Sequence, residues 1–405
     1  DDTRIVMPHS LQMGWSEPPP FFCAVTETAR DVIQYYADHQ TDIPKHKLEQ
    51  HLMGKQERPA QQNQNTIRCF EVYVDDFIAI PNNLDKDNLR HLARAMLHGI
   101  NSIFPPTSVS KHQGHEPISE SKLIKNEGLW EYKKEILGWN FNGKEYTIKL
   151  PEKKSDKLIK LIDNARRQKY LPIQKFQQLQ GNLVHASTGI PGGQGLLSTI
   201  YEATKTLPEK VIITKRIKQC LKDWKCIIKQ MKERPTGILE LKPTEPMYIA
   251  YVDASKSGGV WTNGTSHIEQ FVWRAEWPKE IQEQFNSAEN KKGTITINDL
   301  EMAGILLAWL ILEQAQKTNL EHRSLAIFCN NKAAVHWTSK HTTSTSTRVG
   351  HILQALAMRQ FMNRSAPILI AHIEGIENKL AVFASRYFAQ DTPFIDSFNH
   401  TFPLQ

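Results

Sequence analysis

The chain has 405 residues, of which 40% are hydrophobic and 23% are charged. This composition is typical of a folded protein of two or three domains and excludes a disordered chain. A formal net charge of +7 and a pI near 9.0 favour a polyanionic partner. The longest strongly apolar run, residues 303–312, is far too short to cross a membrane.

The cysteines indicate a reducing compartment. There are five, an odd number, and they are widely scattered with no close pair. This pattern favours free thiols over a disulfide or zinc framework. Together with the absence of an export signal, it predicts an intracellular protein of the cytoplasm or nucleus. The cysteines are Cys23, Cys69, Cys220, Cys226 and Cys329.

The first segment has an abrupt start. The chain runs at once into strand-like apolar residues, where a domain rarely begins, so we expect an N-terminal truncation. Apolar residues between 21 and 36 then recur at helical spacing behind three prolines. Residues 39–68 are polar, Gln-rich and aperiodic, which predicts a long loop.

The stretch FEVYVDDFIAI, residues 70–80, predicts two short strands joined by a tight turn. The turn carries Asp75 and Asp76, whose adjacent carboxylates repel each other unless a cation lies nearby. The stretch by itself leaves two interpretations open. It is either a solvated Asp-Asp turn or a cation site.

The middle of the chain alternates helices with turns. A helix over 89–103 precedes a loop at 104–123, where His112 and His115 favour a solvated loop over a metal site. Residues 130–150 predict a strand, a turn at Asn142-Gly143 and a second strand. Two helices follow, the first capped by Ser155 and the second starting at Pro172.

The region from 144 to 169 is basic, with nine Lys and Arg residues against four Asp and Glu residues. In isolation, this balance is best explained by an ordinary solvated helix face. A further helix over 215–231 leads to a link at 233–246. The remaining residues predict three consecutive strands and then alternating helices and strands, which is an α/β layer domain.

Two acids of this last domain have unusual positions. Asp253 lies near the middle of the first predicted strand, where a carboxylate among apolar residues needs a cation or hydrogen-bond partners. Glu301 is expected in the first turn of the helix over 298–315, where pairing with the helix dipole would explain it. The two acids could also converge on one divalent cation.

Seven motifs in order resemble one family. These are SLQMGWSEPPPFF at 10–22, YVDD at 73–76, WEYKKEILGW at 130–139, YVDAS, DLEMAG, FCNNKAAVHW and HIEGIENKLAVFASR. In this order they resemble the reverse transcriptase–ribonuclease H segment of LTR-type retrotransposon polyproteins, over nearly all of the chain. The basic helices at 155–186 stand where that family has its thumb and connection.

The resemblance implies a multidomain α+β and α/β protein. We expect a reverse-transcriptase palm remnant over 1–125, a thumb/connection-like region over 126–240, a ribonuclease H-like domain over 246–390 and a tail over 391–405. It implies two magnesium ions as cofactors and RNA–DNA hybrid or template–primer as partner, with no membrane. The oligomeric state stays open.

The resemblance also assigns site residues. Asp75 and Asp76 would hold magnesium for polymerisation, and Asp253 and Glu301 would hold it for hydrolysis. The nucleotide and template motif would comprise Gln12, Gly14, Trp15 and Tyr73. A surface that tracks phosphates would comprise Lys153, Lys154, Lys157, Lys160, Arg166 and Arg167.

The sequence departs from the family in both halves. The third polymerase aspartate and the fingers are missing, and Asn330 and Val382 stand at two of the four ribonuclease H carboxylate positions. Because magnesium prefers anionic oxygen ligands, halving the charge of the site should cost most of its affinity. Glu374 and Glu377 are poor substitutes.

We therefore expect a retrotransposon-derived RNA-directed DNA polymerase and ribonuclease H fragment that is inactive as this chain. Three alternatives stay open at this point. The chain could be an enzyme whose front half lies elsewhere, a non-catalytic protein that binds RNA–DNA hybrid, or a decayed remnant.

Overall fold

The computed structural model describes residues 18–53, 68–81, 84–106, 117–206, 209–254, 257–264, 271–315, 324–343 and 346–386. The chain divides into two compact units, Asp1–Glu131 and Tyr132–Gln405. Within the described ranges, every helix is too short or too polar to cross a membrane. The predicted opening strand, the motif at 10–17, the two loop histidines and the tail lie outside the described residues.

Unit 1 is built from two long helices and one hairpin. Its elements are α1 (Pro18–His39), β1 (Arg68–Tyr73), β2 (Asp76–Pro81), α2 (Lys86–Ile103) and α3 (Glu120–Ile124), with a 3₁₀ turn at Glu49–His51. The predicted helices and hairpin are thus present. The side chain of Asp85 accepts hydrogen bonds from Asp87 N and Asn88 N and so caps α2.

Close helix packing fixes the hairpin of unit 1. Gly99 of α2 faces Ile33 of α1, and an added Cβ would come within 2.5 Å of the Ile33 side chain. The small residue therefore allows the two helices to approach each other. Phe70 of β1 is buried in the same core, so the hairpin is anchored by its start while its turn remains at the surface.

Unit 2 begins with a four-stranded antiparallel sheet in the order β3-β4-β5-β8. Helices and a two-stranded ribbon, β6-β7, pack beside it. The elements are β3 (Lys133–Ile136), β4 (Trp139–Asn142), β5 (Thr147–Lys149), α4 (Glu152–Arg167), β6 (Tyr170–Pro172), α5 (Ile173–Ser187), α6 (Ser198–Thr204), β7 (Lys210–Ile212), α7 (Lys215–Glu233) and β8 (Thr236–Gly237).

Two predictions for this region were wrong. The single strand expected before Asn142 is a hairpin, because Leu137 and Gly138 both take positive φ (50° and 80°) and reverse the chain. Ser155 is not the cap of α4, which starts three residues earlier with Pro151 at the N-cap position. Proline at this point suits a helix start, and Ser155 is instead buried within the helix.

The second half of unit 2 is a five-stranded mixed sheet in the order β11-β10-β9-β12-β13. The first three strands are antiparallel, and β12 runs parallel to β9 and to β13. This arrangement agrees with the predicted three strands followed by alternating elements. The elements are β9 (Tyr248–Ala254), β10 (Ser257–Gly264), β11 (Phe271–Glu276), α8 (Lys279–Gln284), α9 (Ile297–Ala315), β12 (Leu325–Cys329), α10 (Lys332–Lys340), α11 (Thr347–Asn363), β13 (Leu369–His372) and α12 (Lys379–Arg386).

Helix α11 belongs to both halves of unit 2. Its residues Val349 and Leu353 are buried in the core under the five-stranded sheet. Ala357 and Phe361, one and two turns further on, are buried in the core formed by α4, α5 and α7. The two halves therefore share one continuous hydrophobic packing through this helix.

A buried ion network reinforces that junction. Glu240 is fully buried, and both of its oxygens accept hydrogen bonds from Arg234 Nη1 at 3.0 Å. Arg364 Nε lies 3.4 Å from Glu240 Oε1, and Arg234 Nη2 donates to the carbonyl oxygen of Phe361 at 3.1 Å. The link that follows α7 is thus tied to the end of α11.

Replacing Glu240 by alanine should strongly destabilise unit 2, because two guanidinium groups would lose their buried counter-charge. We expect a loss of about 3 kcal/mol in the free energy of unfolding. Urea denaturation followed by tryptophan fluorescence measures it. The control is Glu313→Ala, which removes the more exposed ion pair with Arg359 and should cost at most about 1 kcal/mol. Equal losses for the two variants would contradict the assignment.

Candidate metal and nucleic-acid sites

Asp253 lies at the centre of the candidate metal site, but not where the sequence placed it. It is the next-to-last residue of β9, not a mid-strand residue, and it is only 1% exposed. Its backbone pairs with Gly259 of β10. A carboxylate at this depth must be satisfied by partners within the protein or by a cation.

Three side chains from two other elements surround this carboxylate. Asn330 Nδ2, just after β12, donates to Asp253 Oδ1 at 3.0 Å. The hydroxyl of Ser385 in α12 donates to Asp253 Oδ2. Arg386 Nε lies 3.8 Å from the same oxygen. Both oxygens of Asp253 therefore face hydrogen-bond donors of the chain itself.

Glu301 is the second acid that the sequence placed here. It lies in the second turn of α9, one residue later than expected, and is 3% exposed. Pairing with the helix dipole therefore does not explain it. Burial, and then the charge of Asp253, raises the pKa of Glu301 to about 8, so the carboxyl group is mainly protonated at pH 7. Cys329 Sγ lies 3.6 Å from Glu301 Oε2 as its hydrogen-bond donor.

The other expected positions do not add a ligand. Val382 is a half-buried residue of α12 with an apolar side chain. Glu374 and Glu377 lie in an exposed turn after β13. Within the described part of the chain, no cluster of three or more His, Cys, Asp and Glu side chains is placed to hold a metal ion.

These residues do not fit a two-magnesium centre. The amide NH₂ of Asn330 points at Asp253, while its Oδ1, the atom that could bind a cation, has no hydrogen-bond partner among the described residues. Of the two carboxyl groups, one is largely neutral at pH 7 and the other lies beside a guanidinium group. Little negative charge is left to attract a divalent ion.

Sequence reasoning missed Ser385, Arg386 and the role of Asn331. Ser385 lies three residues after Val382, so a helix over this segment would have placed both on one face. The Asn331 side chain accepts from Ala334 N at 2.9 Å and donates to Asn298 Oδ1 at 2.7 Å. It therefore caps α10 and ties it to the start of α9.

The predicted polymerase aspartates lie at the tip of the hairpin in unit 1. Val74 and Asp75 form the two-residue turn, and Asp76 opens β2 opposite Tyr73. Tyr73, Asp75 and Asp76 are all exposed. The expected tight turn with its acids is present, but Gln12, Gly14 and Trp15 lie outside the described residues.

The turn contains a strained residue. Val74 has a φ of 58°, a backbone conformation that β-branched residues rarely adopt. Its side chain is 43% exposed, so burial does not compensate for the strain. Strain of this kind is concentrated at functional turns, where a local conformation is kept for a purpose other than stability.

The predicted phosphate-tracking residues lie on α4. Lys153, Lys157 and Lys160 are exposed and line one shallow surface groove with Asp156, Leu161 and Asn164. Within the described residues, no carboxylate pairs with these three lysines. The spacing of three and four residues places their ammonium groups along one face of the helix.

The remaining predicted cations of α4 have other surroundings. Lys154 Nζ donates to the carbonyl oxygen of Gly138 at 3.1 Å and lies 3.3 Å from Glu135 Oε1, so it holds the β3–β4 turn. Arg166 is half-buried, and its Nε has no hydrogen-bond partner among the described residues. Arg167 is exposed at the end of the helix.

The acids of α4 are neutralised from the other side of the helix. Lys225 Nζ of α7 binds both oxygens of Asp163 at 2.7 Å, and Lys232 Nζ binds Asp156 Oδ1 at 2.6 Å. The hydrogen bond with Lys225 keeps the pKa of Asp163 below its usual value. The groove face of α4 is consequently more basic than the sequence of the helix suggests.

No protein-family model and no curated protein match this chain. Similar solved structures include reverse transcriptases and an RNase H1. A foamy viral protease–reverse transcriptase in complex with dsDNA is 14% identical with a TM-score of 0.35, over 90% of this chain and 60% of that one. A second structure of that protein with double-stranded DNA is 13% identical with a TM-score of 0.32, over 75% of this chain and 46% of that one.

RNase H1 from Halobacterium salinarum is 13% identical with a TM-score of 0.24, over 34% of this chain and 92% of that one. The chain thus spans about half the length of the viral proteins it matches.

Replacing Val74 by asparagine should stabilise unit 1, because asparagine tolerates positive φ whereas valine does not. We expect a gain of about 1 kcal/mol in the free energy of unfolding, measured by urea denaturation. Val74→Ala keeps a Cβ and should give no such gain. A loss of stability in the asparagine variant would show that the turn is not strained.

Proposed function

We propose that this chain is a non-catalytic nucleic-acid-binding protein of reverse transcriptase–ribonuclease H type, which holds RNA–DNA hybrid or template–primer along α4. The observation that carries the proposal is the charge asymmetry of α4. Its acids pair with α7, while Lys153, Lys157 and Lys160 line an open groove.

Such a row of cations suits a phosphate backbone. Lysines at intervals of one turn are about 5–6 Å apart along a helix, close to the spacing of successive phosphates. Binding of this kind releases counterions and is strongly dependent on salt. The net charge of +7 for the whole chain favours the same partner.

The Asp253 centre supports the non-catalytic part of the proposal. Hydrolysis by two metal ions needs carboxylates that bridge the ions and hold the attacking and leaving oxygens. Asp253 is instead surrounded by Asn330, Ser385 and Arg386. Origin from a retrotransposon polyprotein rests on the sequence motifs and remains part of the proposal.

A second candidate function is favoured by the hairpin of unit 1. The strained Val74 presents two exposed aspartates at the surface, as a polymerase metal site would require. In this alternative the chain is one part of an RNA-directed DNA polymerase, and other polypeptide supplies the remaining ligand and the nucleotide platform.

Replacing Lys153, Lys157 and Lys160 by glutamine should weaken binding of RNA–DNA hybrid. For three lost phosphate contacts, the slope of log K against log salt should decrease by about 2–3. Fluorescence anisotropy of a labelled hybrid at several salt concentrations measures both quantities. The charge-matched control changes Lys279, Lys291 and Lys292, which are exposed outside α4. Equal effects of both triple variants would contradict a binding site on α4.

The wild-type chain should not cleave the RNA strand of a labelled hybrid with Mg²⁺ or Mn²⁺. Gel analysis under conditions of saturated binding measures cleavage, and Asp253→Asn identifies any contaminating nuclease. Cleavage that disappears in Asp253→Asn would show that the surviving carboxylates suffice, and would overturn the non-catalytic assignment.

A further inference from the structure

We propose that Asp253, Asn330, Ser385 and Arg386 form a metal-independent structural cluster that fastens α12 to the five-stranded sheet. This inference is independent of the proposed nucleic-acid binding. It assigns a position that the resemblance gives to a divalent cation to hydrogen-bond donors of the chain itself.

The first support is the orientation of the donors. Asn330 directs its NH₂ group, not its oxygen, at Asp253 Oδ1. If a cation were bound between these two side chains, the amide oxygen would have to face it, because the NH₂ group cannot ligate a metal. The amide therefore takes the place of a metal ion as the partner of the carboxylate.

The second support comes from the other carboxylate oxygen. Ser385 is fully buried, and its hydroxyl donates to Asp253 Oδ2. The Arg386 guanidinium lies beside the same oxygen and balances its charge. A cation at this oxygen would have to displace a buried hydroxyl and approach an arginine, and both steps cost free energy.

The third support is that α12 is attached to β9 before its first residue as well as in its last turn. Asn378 is 1% exposed, and its Nδ2 donates to the carbonyl oxygen of Val252 at 2.9 Å. Its own carbonyl oxygen accepts from Val382 N at 3.0 Å, in the first turn of the helix. With Ser385 in the last turn, hydrogen bonds to two consecutive strand residues, Val252 and Asp253, fix the helix.

The cluster and a metal site make opposite predictions for Asp253→Asn in the full chain. In the cluster, the substitution removes the charge that holds Arg386 and the acceptor for two donors. The melting temperature should then decrease by roughly 5 °C, equally in EDTA and in Mg²⁺. The matched control, Asp156→Asn on the surface of α4, should change it by less than about 2 °C.

At a metal site, Asp253→Asn would relieve repulsion between carboxylates, and Mg²⁺ would stabilise only the wild type. An unchanged or higher melting temperature of the variant in EDTA, with a Mg²⁺-dependent increase for the wild type, would overturn the proposal. Hydrogen exchange of residues 379–386 gives a local readout. Exchange there should increase in Asp253→Asn.

Asn330→Asp provides a second test, which does not depend on the stability of Asp253→Asn. It places a carboxylate against Asp253, so we expect a lower melting temperature in EDTA and one more bound Mn²⁺ than in the wild type, counted by electron paramagnetic resonance. A Mn²⁺ ion that the wild type binds and that Glu301→Gln removes would overturn the proposal. Loss of nucleic-acid binding alone would affect only the proposed function.

Discussion

The burial of one carboxylate at the end of β9 determines much of the second half of unit 2. Asp253 is almost inaccessible to water, and an unpaired charge in such a place would cost several kcal/mol. The chain meets this constraint with an amide from the end of β12 and with a hydroxyl and a guanidinium from α12. Strands and helix are thereby held at one point.

The same constraint connects structure to function. Where a two-metal hydrolase keeps carboxylates available for cations, this chain has directed its own donors at the remaining one. Glu301, held protonated by burial and by the charge of Asp253, adds little negative charge at neutral pH. The geometry therefore favours a framework that is retained for its shape, with nucleic-acid binding located elsewhere on unit 2.

Charge in unit 2 is distributed by helix packing. The lysines of α7 bind the two aspartates of α4, and the exposed lysines of α4 are left to line a groove. The Glu240 network and the shared helix α11 hold the helices against the five-stranded sheet. A basic groove and the Asp253 cluster thus belong to one continuously packed unit.

The sequence by itself determined most helices and strands, the hairpin with its two aspartates and the α/β layer order of the last domain, because these follow from local periodicity and turn residues. It also placed Asp253 and Glu301 in one domain. Only the tertiary structure decided the partners of Asp253, since Asn330 and Ser385 are 77 and 132 residues away along the chain. Likewise, the pairing of the α4 acids with α7 depends on helix packing, which a count of charges along the sequence does not reveal.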